Sequence, residues 1–128
     1  MRRALHILLA CALPVLPAAA ATPVAVPSGQ VLYLQEILWQ EDTLRLRFVA
    51  PGIAREGGTL GFEDVQQDFQ ALCETMGLQL LRETGRTVDQ LVVSMADRPL
   101  AFGETAPDTR QFFEAFRIEN GACVLEVF

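Results

Sequence analysis

Hydrophobic positions in this chain follow two periodicities. Leu44, Leu46 and Phe48 alternate with Arg45 and Arg47, the period of a half-buried strand. Residues 31–39 and 43–50 therefore read as two strands, with Gln40, Glu41 and Asp42 marking the turn. A two-residue Glu41-Asp42 loop would set Trp39 against Leu44 and Ile37 against Leu46 on one face. On the other face Glu36 meets Arg47, an opposite-charge cross-strand pair. Glu-Asp is a poor type I′ pair, which leaves a longer loop with shifted register open. Phe62, Val65, Phe69, Leu72 and Met76 recur at spacings of three and four, which predicts an amphipathic helix. Glu63 and Asp64 sit in its first turn, where the helix dipole favours acids. Gly77 is the expected stop, with room for a further helical turn over 78–83 before Gly85.

Residues 91–96 read as a third strand, ended by Asp97-Arg98-Pro99, and a loop over 100–109 follows. The C-terminus carries a strong hairpin signal, Asn120-Gly121 between two apolar runs. A two-residue turn pairs Ile118 with Cys123, Phe116 with Leu125 and Glu114 with Val127. That face, with Phe112, is expected to meet the core. The opposite faces of the two hairpins are not purely polar: Leu32, Leu34 and Leu38 lie there in the first, Phe113, Val124 and Phe128 in the last. An exposed apolar patch rimmed by Arg and Glu is a partner-site signature; cover by the lead-in or by loops is the alternative. An open sheet edge offers β-augmentation as a further mode. The element order β-β-α-β-β-β predicts an α+β domain over 31–128, an antiparallel sheet with one main helix packed on one face, preceded by an extended lead-in over 22–30.

The N-terminus carries a different pattern. Arg2 and Arg3 precede an apolar stretch over 4–16, and Ala18 to Ala21 supply small residues for cleavage. This is the layout of a cleaved secretory signal peptide over residues 1–21, with cleavage after Ala20 as the near alternative. Pro14, Pro17 and Pro23 argue against an uncleaved membrane anchor. Leu8-Leu9-Ala10-Cys11 has the shape of a lipobox, a second alternative. Export would leave the chain periplasmic or secreted, without stable membrane insertion. Cys11 would go with the leader, and Cys73 and Cys123 remain. Two cysteines in an oxidising compartment read as one disulfide, here from helix to last strand. Two unpaired buried thiols, or a redox pair without C-x-x-C spacing, are the other readings.

Composition then narrows the chemistry. The chain has 128 residues, 51% hydrophobic, with formal net charge −6. It contains no Lys, its single His is His6, and Ser occurs only at Ser28 and Ser94. A mature domain without His or Lys cannot build a Ser-His-Asp triad, a Schiff base or a His-ligated zinc site. No metal site and no cofactor is expected, and its acidity argues against nucleic acid as a partner. Carboxylates are the remaining acid–base groups. Glu114, on the apolar face, and Asp97, Arg98 and Glu104, in the loop after the third strand, are the candidates. Glycoside hydrolysis would require two such carboxyls at a defined separation.

Four segments together resemble a family. They are Leu72 to Thr75, Ser94 to Pro99, Phe102 to Glu104 and Gln111 to Glu119, followed by a Gly121-Ala122-Cys123 hairpin. They resemble an uncharacterised domain-of-unknown-function family of small exported alphaproteobacterial proteins, over roughly residues 26–128. The resemblance implies export and a Cys73–Cys123 pair, and no catalytic residue. The leading expectation is a non-enzymatic periplasmic interaction or accessory domain whose partner is another envelope protein. A carboxylate-dependent hydrolase of cell-envelope glycan is the alternative.

Overall fold

The computed structural model describes residues 10–14 and 22–127. The predicted leader therefore lies mostly outside the described residues, as does Phe128. Residues 22–127 form one sheet of six strands, in the order β1-β2-β3-β4-β5-β6. The strands are β1 (Pro23–Val24), β2 (Leu32–Gln40), β3 (Thr43–Val49), β4 (Gln90–Ala96), β5 (Gln111–Glu119) and β6 (Ala122–Leu125). Helices α1 (Phe62–Leu72) and α2 (Leu78–Thr84) are joined through a π-helical segment, Cys73–Gly77. They cover one face. Val65, Phe69 and Leu72 are buried there with Leu44, Leu46, Phe48, Leu91, Val93, Met95 and Phe116.

The class is α+β, as the element pattern predicts, but the sheet is mixed. β3 and β4 pair in parallel, Leu44 beside Leu91 and Phe48 beside Met95. The helical layer between them carries the chain back to the end where β3 began. A crossover of this kind returns the next strand in the same direction, whereas a hairpin reverses it. The remaining pairs are antiparallel. The lead-in also contributes a strand, because Pro23 and Val24 pair with Tyr33 and Leu32.

Both hairpins hold the register their patterns predict. Trp39 pairs with Leu44, Ile37 with Leu46 and Glu36 with Arg47, and Glu41 takes positive φ in the two-residue turn. Ile118 pairs with Cys123 and Phe116 with Leu125 around Asn120-Gly121, both at positive φ, as a type I′ turn requires. The C-terminal strand, however, ends at Leu125, so Glu114 has no Val127 opposite it and Val127 is 90% exposed.

β2 departs from its simple alternation. The register slips between Leu34 and Glu36, a β-bulge in which Gln35 is the extra residue. One inserted residue moves the preceding side chains to the other face. Leu32 is consequently buried in the core and Leu34 packs against it, so neither belongs to an outward surface. Only Leu38, opposite Arg45, stays on the outer face.

Gly77 does not end the helix. The chain continues through it into α2, and Gly85, at φ +67, makes the left-handed cap. A Cβ at Gly77 would stand 2.4 Å from Leu91 Cδ1. The absent side chain therefore serves close approach of helix to sheet. Cys73, in the same segment, is bonded to Cys123 of β6, which staples the helical layer to the last strand.

Candidate functional site

The outer face of the sheet is read by following strand pairs across it. Glu36, Arg47, Ser94 and Phe113 are successive partners in one row. Leu38, Arg45, Val92 and Ala115 form the next. Val124 lies in another, opposite Arg117 at the sheet's edge. The expected interaction surface is thus divided: Leu38, Phe113 and Val124 stand in three different rows. Phe113, 64% exposed, is the one that projects fully, and the loop after β4 joins it there.

That loop is pinned at its base and folded over the face. Asp97 accepts the Arg110 backbone N–H at 3.1 Å and the Arg98 Nε–H at 3.3 Å, and its own N–H donates to the Arg110 carbonyl. Leu100 is buried, and its carbonyl accepts from Arg47 at 2.8 Å and from Gln35 at 2.7 Å. The bulged Gln35 therefore has a use, since its amide holds the loop. Phe102 then lies over the guanidinium groups of Arg45 and Arg47, at 5.4 and 5.5 Å from its ring centre, within cation–π range. Gly103 turns the chain at φ +83, and the Glu104 carboxylate accepts the Ala101 N–H at 3.0 Å.

The result is a cleft of about 320 Å³ between loop and sheet. Arg45, Arg47, Val92 and Ser94 line its sheet side, Phe102 and Glu104 its loop side, and Phe113 its far wall. Arg47 is buried and paired with Glu36. Arg45 donates its Nε–H to Gln40 at 3.0 Å and enters no ion pair among the described residues.

The three loop candidates are not brought together. Asp97 and Arg98 line a separate cleft of about 550 Å³ with Arg55, Glu56 and Asp108, at the C-terminal ends of the parallel strands. Glu104 lines the sheet-face cleft. Glu114 lies on the opposite, helix-covered face, paired with Val93. Burial without a cation raises its carboxyl above the ordinary value. Glu114 and Glu104 thus stand on opposite sides of the sheet and cannot flank one bond. Among the described residues no three His, Cys, Asp or Glu side chains converge as a metal-binding group.

Two features escape the sequence reading. Phe102 and Arg45 enter the cleft only because the loop folds back. The signals were an aromatic beside a glycine in a loop, and a cation on an outward strand position. The second is Asp68, a fully buried carboxylate on α1. It accepts from the Ser28 N–H at 2.8 Å, the Ser28 hydroxyl at 2.6 Å and the Gln30 amide at 2.7 Å. It anchors the lead-in to the helix. An acid inside a predicted apolar helix face was the available signal.

Such a geometry, a mixed sheet with a helical layer on one face and a loop-covered cleft on the other, defines a small disulfide-stapled α+β domain. The chain belongs to the family of unknown function DUF6497, whose model matches residues 10–128. Neither a curated protein nor a solved structure matches it. No helix among the described residues is long and apolar enough to cross a membrane, and the disulfide fits an extracellular or periplasmic setting.

Proposed function

We propose that the chain is an exported, non-enzymatic interaction domain, released by cleavage after Ala21, that grips an envelope protein through the outer sheet face around Phe113. The observation that carries this reading is the pairing of two large exposed aromatics at one cleft. Phe113 is 64% and Phe102 50% exposed, and both line the cleft that Arg45 and Arg47 also line. Aromatic and Arg side chains are the residue types that dominate binding energy at protein interfaces. Neither ring belongs to the core: Phe102 packs on the two guanidinium groups, and Phe113 stands in solvent.

The sheet's edges favour the face over strand addition. β1 is two residues long and begins with Pro23, which cannot donate a ladder hydrogen bond. In the last hairpin Cys123, opposite Ile118, turns its backbone groups away from β5, by the alternation of antiparallel pairs. The Cys123 carbonyl is then taken by the Gln70 amide of α1 at 2.9 Å. Both edges are blunted, as soluble sheets require.

The test is a cross-linked pull-down from solubilised envelope, with the chain purified after export as bait. One envelope protein should be enriched with the natural chain and lost with Phe113→Glu, at unchanged melting temperature. Equal retention by both baits would overturn the assignment of the face.

A further inference from the structure

We infer that the sheet-face cleft takes the C-terminal end of a partner polypeptide, a free α-carboxylate carried on an apolar last residue, with Arg45 as its counter-ion. This rests on the interaction reading above and names the part of the partner that the face would hold.

The charge arrangement selects an anion. Two acids stand near the cleft: Glu36 pairs with Arg47, and Glu104 turns one oxygen to the Ala101 N–H while keeping its charge on the loop side, so the cation left for an anion is Arg45 on the sheet side. Arg47 is further occupied by the Leu100 carbonyl. Arg45 uses its Nε on Gln40 and its face on Phe102. Its two terminal nitrogens, which form the planar fork that suits a carboxylate, have no hydrogen-bond partner among the described residues. The stacked ring holds the guanidinium in place, so little side-chain freedom is left to lose on binding.

The apolar part of the site selects what carries the charge. Val92 at the floor and the Phe102 and Phe113 rings at the sides offer contact for an apolar side chain. A volume of about 320 Å³ is at the small end of ligand sites. The half-exposed walls would leave a free small acid largely in water, whereas good small-molecule sites bury most of their ligand. A chain end differs because the polymer continues past Phe113 over the sheet face and buries the rim. An α-carboxylate, with its low ordinary pKa, is fully ionised at neutral pH.

The experiment titrates the purified chain with acetyl-Gly-Ser-Gly-Phe as free acid, with the same peptide amidated, and with 3-phenylpropionate, by calorimetry and by backbone amide shifts. The free acid should bind roughly tenfold or more tightly than the amide, the worth of a hydrogen-bonded charge. It should perturb Ser94, Thr105 and Gln111. Arg45→Gln should bring the acid down to the level of the amide. Arg45→Lys should keep part of the preference, and Arg117→Gln, at the sheet's edge, all of it. Equal binding of acid and amide, or of neither, overturns the inference. So does 3-phenylpropionate binding as tightly as the peptide, which would make the cleft a small-acid site. If acid and amide bind equally and Phe113→Glu removes both, the interaction face stands and only the chain-end assignment falls. If acid is preferred while no envelope protein is retained, the reverse holds.

Discussion

Glu114 shows how a single side chain carries a pH signature. Its carboxyl lies on the helix-covered face between Phe112 and Phe116, where burial disfavours the ionised form. The folded state therefore keeps this proton to higher pH than the unfolded state does. Its contribution to stability is fully present below the ordinary value of 4.5 and is lost as pH rises through the raised folded value. Glu114→Gln should flatten the acid-to-neutral decline in urea midpoint and leave the variant more stable than the natural chain at neutral pH. An unchanged slope would mean that the carboxyl is solvated after all. The hairpin pattern already placed Glu114 on the apolar face. Its neighbours across β4 could not be read, because the parallel pairing that brings β4 into the sheet is not a local property of either segment.

Asp68 works at the scale of elements, because it joins the lead-in to α1. Three donors converge on a carboxylate that water does not reach. Removing it takes the acceptor from the Ser28 N–H and hydroxyl and from the Gln30 amide; Ser28 is exposed and Gln30 half-buried, so water replaces part of that loss. Asp68→Ala should lower unfolding free energy by about 2 kcal/mol. It should also deprotect the Ser28 amide to hydrogen exchange before the core. Wild-type protection at Ser28 would exclude the anchor. The elements themselves were largely legible: the β2–β3 register, the C-terminal turn and the start of α1 all follow from local periodicity and turn chemistry. Two departures have tertiary causes. The Gln35 bulge lets the amide reach the Leu100 carbonyl, and it moves Leu32 and Leu34 into the core. Gly77 reads as a stop because glycine commonly ends helices, yet here it is a contact point for Leu91.

At the scale of the molecule, the Cys73–Cys123 bond closes the two layers on each other across a sequence separation of 50. A loop of that length corresponds to about 4 kcal/mol of chain entropy removed from the unfolded state. The Cys73→Ser, Cys123→Ser double variant should melt well below the natural chain under non-reducing conditions, and the gap should vanish when both are reduced. Equal melting without reductant would mean that the bond is absent in solution. By itself the sequence determined the class of fold, both hairpin turns, the acidic balance and the lack of His and Lys chemistry in the domain. Each of these depends on residue identity or on neighbours a few positions apart. Only the tertiary structure decided the parallel return of β4, the face on which Leu32 and Leu34 fall, and the separation of Glu104 from Asp97 and Glu114. It also decided the meeting of Arg45 with Phe102 and the shared cleft that Phe113 lines. Those depend on which strand lies beside which and on a loop folding back across the sheet, contacts between segments whose separation along the chain leaves no periodic trace.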